Sequence, residues 1–237
     1  MQNQHYTYRP SKILYGILKI VLFSYIGVLL ISVITDINAI IFWGFYIKTS
    51  DFSETFNSIV NFGDLFSGIL LSTTLWTSIV IFLIWINRAN KNARALGAKD
   101  IEYSPGWTVG WFFVPIMNLF KPYQAVEQIW RASQTDRSKP WEQNHSPLYF
   151  KFWWVFWVIS NIIAYILARM SLTFLFNNNV NPQFELATST GNLIADLFDI
   201  PLTLLFISVI SSIYKSQEKK YQLSQGLSPE QWTHSRI

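Results

Sequence analysis

The chain reads as an all-α membrane protein that crosses a bilayer four times, and three features of the sequence carry that reading. Charged residues are only 14% of the 237 and hydrophobic ones 51%, whereas soluble domains carry about 25% charge. Aromatic residues reach 17%, with 11 Trp and 19 Phe, more apolar surface than a water-facing chain can hide. Four windows of roughly 20 apolar residues complete the case, the length a helix needs to cross about 30 Å of hydrocarbon. Each window must be a helix, because backbone polar groups find no partner in lipid.

The windows are residues 13–34 (ILYGILKIVLFSYIGVLLISVI), 65–86 (LFSGILLSTTLWTSIVIFLIWI), 148–167 (LYFKFWWVFWVISNIIAYIL) and 193–213 (LIADLFDIPLTLLFISVISSI). The first run is too long for a signal peptide, and no small-residue cleavage site follows it. Lys151 lies near the start of the third window, from where its long side chain can snorkel to the headgroups. The fourth window holds Asp196, Asp199 and Pro201.

Basic residues set the orientation. Arg9, Lys12 and Lys19 lie before or early in the first span. Arg88, Lys91, Arg94, Lys99, Lys121, Arg131, Arg137 and Lys139 fill the middle segment, and Lys215, Lys219, Lys220 and Arg236 follow the fourth span. With Lys151 this puts 16 of the 18 bases on one side, leaving Lys48 and Arg169. The basic side is expected to be the cytoplasm and to hold both termini, in the inner (plasma) membrane. The two outer connections carry Asp36, Asp51, Glu54 and Glu185 and the polar run from Asn177. The expected organisation is one membrane domain over 1–214 and a polar cytoplasmic tail over 215–237.

The middle segment, 87–147, is not an ordinary loop. RANKNARALGA favours helix and should extend the second span until Gly97 stops it. Ser104-Pro105 reads as an N-cap and first helical residue. The apolar run 107–120 makes a helix of about 21 Å, too short to cross, and Pro115 interrupts it. Lys121-Pro122 starts another helix whose apolar Tyr123, Val126, Ile129 and Trp130 share one face. Two arrangements stay open: amphipathic helices lying in the inner interface, or a re-entrant element at 107–120. Gly106 and Gly110 form a G-x-x-x-G, a spacing that permits close helix packing in membranes.

The words SPGW, FVPIMNL, KPYQA and IWRAS, preceded by NARALG and followed by the Trp-rich third span, resemble bacterial membrane proteins grouped as domain of unknown function 4328. The resemblance runs from span two to span four. It implies a multi-span inner-membrane protein and no particular activity. The residues that it marks are Asn92, Ser104, Pro105, Gly106, Trp107, Pro115, Asn118, Lys121, Pro122, Trp130 and Arg131, with fixing the fold of the interfacial element as the competing role for each. Aligned without gaps from Gly63 and Gly191, spans two and four also suggest a two-plus-two duplication, as in parallel-repeat membrane folds.

Among candidate chemistry, Asp196 and Asp199 stand out, because ionisable groups at membrane depth are costly. They sit about one turn apart on the same face, beside the kink expected at Pro201. One reading is an ion or proton site open to the outer side; the other is that both carboxyls reach outward to water and Asp199 caps a broken helix. The chain has no Cys, and its three His (His5, His145 and His234) lie outside the spans, which argues against haem, thiolate and metal-cluster chemistry. No phosphate cradle or acyl-transfer triad is present, and the bases form no nucleic-acid stripe. The expected function is a non-enzymatic membrane module (subunit, sensor or scaffold) acting through its cytoplasmic helical segment. It would have no cofactor and no nucleic-acid partner, with the lipid bilayer, a second copy or another membrane protein as partners. The alternative is a small oligomeric transporter or channel with an acidic site at Asp196 and Asp199.

Overall fold

The computed structural model of the chain describes residues 6–51, 53–135, 140–175 and 181–226, and among these it contains helices and no strand. Six α-helices follow in order: α1 Lys12–Thr49, α2 Glu54–Ala95, α3 Pro105–Gly110, α4 Lys121–Ser133, α5 Leu148–Leu175 and α6 Pro182–Ser224. Four of them, α1, α2, α5 and α6, are long and apolar enough to cross a membrane, and each contains one of the windows read from the sequence.

The helices outrun the windows. α1 has 38 residues, α2 42 and α6 43, lengths of about 57 to 65 Å at 1.5 Å per residue. A hydropathy window measures only the stretch that lipid requires, whereas helix-compatible flanks carry the same hydrogen-bond ladder onward. Asp36, read as an outer-loop residue, is therefore inside α1. Residues 215–224 continue α6, and Gln217 is only 2% exposed. The Asn-rich run at 176–180 lies outside the described residues.

Local signals in the middle segment act as their chemistry directs. α2 ends at Ala95, and Gly97 follows with φ +92°, a left-handed residue that glycine adopts without strain. The Ser104 side chain accepts from the Trp107 N–H, with Pro105 in the first turn of α3. The run 107–120 is interrupted at Pro115 as expected, and it is more broken than one interruption requires. It is α3, a 3₁₀ turn at Trp111–Phe113, and another at Met117–Leu119. Val114, forced toward extended backbone by Pro115, has φ −90° and ψ 113°. The G-x-x-x-G packs no neighbouring helix among the described residues. A Cβ on Gly106 would meet nothing, and one on Gly110 would meet the Trp107 ring of the same helix.

The chain forms two compact units. One comprises Met1–Lys19, Ile79–Phe152 and Phe206–Ile237. Its apolar interior includes Trp85, Ile86, Ile129, Phe150, Ile210 and Ile213. The other comprises Ile20–Ser78 and Trp153–Leu205. Here Ala39, Phe42, Trp43 and Val60 form a buried cluster against Tyr46 and Leu186, and Trp154 stacks on Trp157 at 4.5 Å. Gly63 of α2 and Gly191 of α6, the glycines that head the aligned segments, both meet the preceding long helix. A Cβ on Gly63 would lie 3.1 Å from Thr35 of α1, and one on Gly191 would lie 2.5 Å from Leu167 of α5.

Candidate functional sites

In the first unit, buried amides fasten the middle segment to the long helices. Asn92, fully buried, accepts from the Arg9 backbone N–H at 3.0 Å and donates to the Arg9 carbonyl at 2.9 Å, as one strand residue would pair with another. Asn87 donates to the Pro105 carbonyl, and Asn90 to the Tyr103 carbonyl and the Thr108 hydroxyl. Arg94 donates to Asn90 and to the carbonyls of Ile101 and Tyr103. On α6, Gln217 donates to the Ala89 carbonyl and to Ser133, while Ser212 accepts from the Trp130 indole. Tyr8 stacks on Tyr221 at 4.0 Å and donates to Glu218. Burial, then the nearby Glu218 charge, pushes the Tyr8 hydroxyl well above its usual range, so it stays a donor.

A polar cleft of about 230 Å³ opens beside this scaffold, lined in part by Glu102, Gln124, Glu127, Gln128, Arg131 and Trp141. Arg131 pairs with Glu127 at 2.8 Å, and Ser146 donates to the same Glu127 oxygen. Lys121 donates to the Tyr103 hydroxyl at 3.0 Å and lies 5.2 Å from that ring's centre, and this hydrogen bond raises the Lys121 pKa. Tyr103 in turn donates to Gln124. Next in the chain, Trp107, Phe113, Ile116, Leu119 and Phe120 are all exposed.

The residues marked by the sequence words thus take different places. Asn92, Ser104 and Trp130 hold the scaffold, and buried Pro105 and Pro122 start α3 and α4. Arg131 lines the cleft, and Lys121 donates to the hydroxyl of Tyr103, which lines it. Trp107 and Pro115 lie on the exposed stretch, and Gly106 is exposed. Asn118 has a buried side-chain oxygen without a partner.

In the second unit, α1, α2 and α6 bring carboxyls together. Asp199 is capped: Tyr25 donates to Oδ2 at 3.0 Å and Ser160 of α5 to Oδ1 at 2.6 Å. Asp196 is 8% exposed and Asp36 4% exposed, and one side-chain oxygen of each is buried without a hydrogen-bond partner. Asp64 of α2 neighbours Asp36. The sequence reading named Asp196 and Asp199 but missed Asp36, which lies two residues past the first hydropathy window. Its signal was the Ser32–Asp36 spacing, one helical turn on one face.

The model of the family described as domain of unknown function (DUF4328) matches residues 54–215, more than half of the chain. The chain belongs to this family. The DUF4328 stretch takes in the whole cleft, the exposed apolar stretch, Asp64, Asp196 and Asp199, whereas Asp36 precedes it. No curated protein and no solved structure matches the chain.

Proposed function

We propose that this DUF4328 protein is a non-enzymatic membrane module, a subunit or scaffold, that engages a neighbouring protein through the cleft of its middle segment. The observation that carries the reading is a charged cleft on a scaffold tied by buried amides. Glu102, Glu127 and Arg131 line an opening whose walls are held by Asn90, Arg94 and Tyr103. Such preorganisation favours recognition, because little order remains to be lost on binding. In this reading the exposed residues of 107–120 rest in the bilayer interface, and the cleft and both termini face the cytoplasm.

The division of charge supports that orientation. The first unit contains 16 of the 18 bases, and the second contains only Lys48 and Arg169. The test is photo-crosslinking in cells from a reactive residue at Gln128. Protein adducts are expected, and they should vanish when exposed Glu102 and Glu142 are both replaced by Lys. An adduct pattern unchanged by that charge reversal sinks the proposal.

A further inference from the structure

Eighteen consecutive residues of the first unit, 103–120, carry no charge, and the charged residues that bound them come back together. Lys121 lies 4.0 Å from Glu102, and its ammonium donates to the Tyr103 hydroxyl at 3.0 Å. The stretch therefore leaves and returns at one place. Between its ends run α3 and the two 3₁₀ turns.

The far part of this loop is apolar on every side. Phe113, Pro115, Ile116, Met117, Leu119 and Phe120 are all exposed. An element lying on a surface shows one apolar face, whereas one that is apolar all round belongs inside an apolar medium. Water would also draw the Asn118 amide outward, yet its side-chain oxygen is buried where no donor meets it.

The obstacle to placing such a loop in lipid is its backbone, because each unmet polar group is costly there. Here the turn removes that obstacle by itself. The N–H groups of Met117, Asn118, Leu119 and Phe120 bond to the carbonyls of Pro115, Val114, Ile116 and Met117 at 2.7, 2.9, 3.1 and 3.2 Å. Pro115 has no N–H to satisfy. Aromatic contacts set the depth. Phe112 meets the Phe82 ring edge-on at 5.6 Å, and Phe82 meets Phe206 at 4.9 Å. Phe82 is four residues inside the end of the second apolar window and Phe206 seven inside the end of the fourth, about 6 and 10 Å along a helix. Phe82, Trp85 and Ile86 are buried, so protein already covers the last turns of the second window.

We propose that residues 111–120 form a re-entrant turn that enters the hydrocarbon of the leaflet on the cleft's side, with lipid acyl chains packed around Phe113, Ile116, Met117, Leu119 and Phe120. This rests on the interfacial placement given above, with that leaflet the cytoplasmic one, and carries the turn past the headgroups. Glu102 and Lys121 stay at the surface as the two ends of the excursion.

The test is a spin-label scan of the full chain in liposomes. Single cysteines replace Phe113, Ile116, Met117, Leu119 and Phe120 in this Cys-free chain. Trp76→Cys, exposed within the second span, is the lipid reference, and Glu142→Cys, exposed at the cleft, is the water reference. Collisions of each nitroxide with oxygen, which concentrates among acyl chains, are compared with collisions with a water-soluble nickel complex. Circular dichroism checks that each variant keeps its helices. All five turn positions should match Trp76, with the nickel collisions seen at Glu142 lost. Nickel access that alternates along the five, with at least one position as wet as Glu142, marks a one-sided interfacial element and overturns the proposal. Nickel access at all five puts the turn in water and overturns the interfacial placement as well. Partner capture is read separately by the crosslink at Gln128, so a dry turn without adducts upholds this inference and fails only the cleft reading.

Discussion

At the scale of single residues, the buried amides carry more of the middle segment than any ion pair does. Asn92 satisfies both backbone groups of Arg9, so Asn92→Ala removes both bonds and empties a fully buried side-chain site. A loss of about 2 kcal/mol is expected, measured as a lower melting temperature with faster proteolysis near Tyr8 and Arg9. Gln217 makes a finer comparison. Its two acceptors, the Ala89 carbonyl and Ser133 Oγ, lie in helices of their own, so Gln217→Leu should cost about 1 kcal/mol. Gln217→Glu sets a buried carboxylate against the Ala89 carbonyl and should cost more. Asn92 was legible in the sequence as a marked residue, but its role was not, because its partner lies 83 positions away. Gln217 was passed over as tail, although its spacing from Ile210 and Ile213 puts it on their buried face. Asp36 was missed for a related reason: a hydropathy window ends where apolar residues thin out, and the helix does not.

At the scale of elements, what was legible is what neighbours in sequence decide. The Ser104 cap, the Gly97 stop and the start of α4 at Lys121 follow from backbone chemistry within four residues. The path between α3 and α4 is legible only as an interruption at Pro115; the two 3₁₀ turns on either side of it are not. Ile116 marks the oddity there. It is a β-branched residue at φ +66°, a conformation costing about 1–3 kcal/mol, and it is 73% exposed. Neither local geometry nor burial within the chain rewards an isoleucine at that place; an apolar solvent would. Single cysteines added to this Cys-free chain test the point in membrane vesicles open on the cleft side. An impermeant thiol reagent should label Gln128→Cys and spare Ile116→Cys, and dissolving the vesicles in detergent should not slow the first. Equal labelling of both sites in intact vesicles would place Ile116 in water.

At the scale of the whole molecule, the two compact units divide the bases as the sequence reading does. The two units have equal numbers of carboxyls, seven each, yet one has 16 bases and the other two. An asymmetry in Lys and Arg without one in Asp and Glu is the pattern that sets orientation in membranes, where acids count for little. The 16 bases come from three separate stretches of chain, so the agreement does not follow from one basic run. Lys48, in the last turn of α1, and Lys99, beyond the end of α2, are both exposed and flank α2 in the chain. With a membrane-impermeant thiol reagent on intact cells, Lys48→Cys should label and Lys99→Cys should label only after the membrane is opened. The reverse result would invert the chain and put the cleft outside, where a cytoplasmic partner could not reach it. Labelling of both in sealed cells would break the crossing between them and with it the four-span reading.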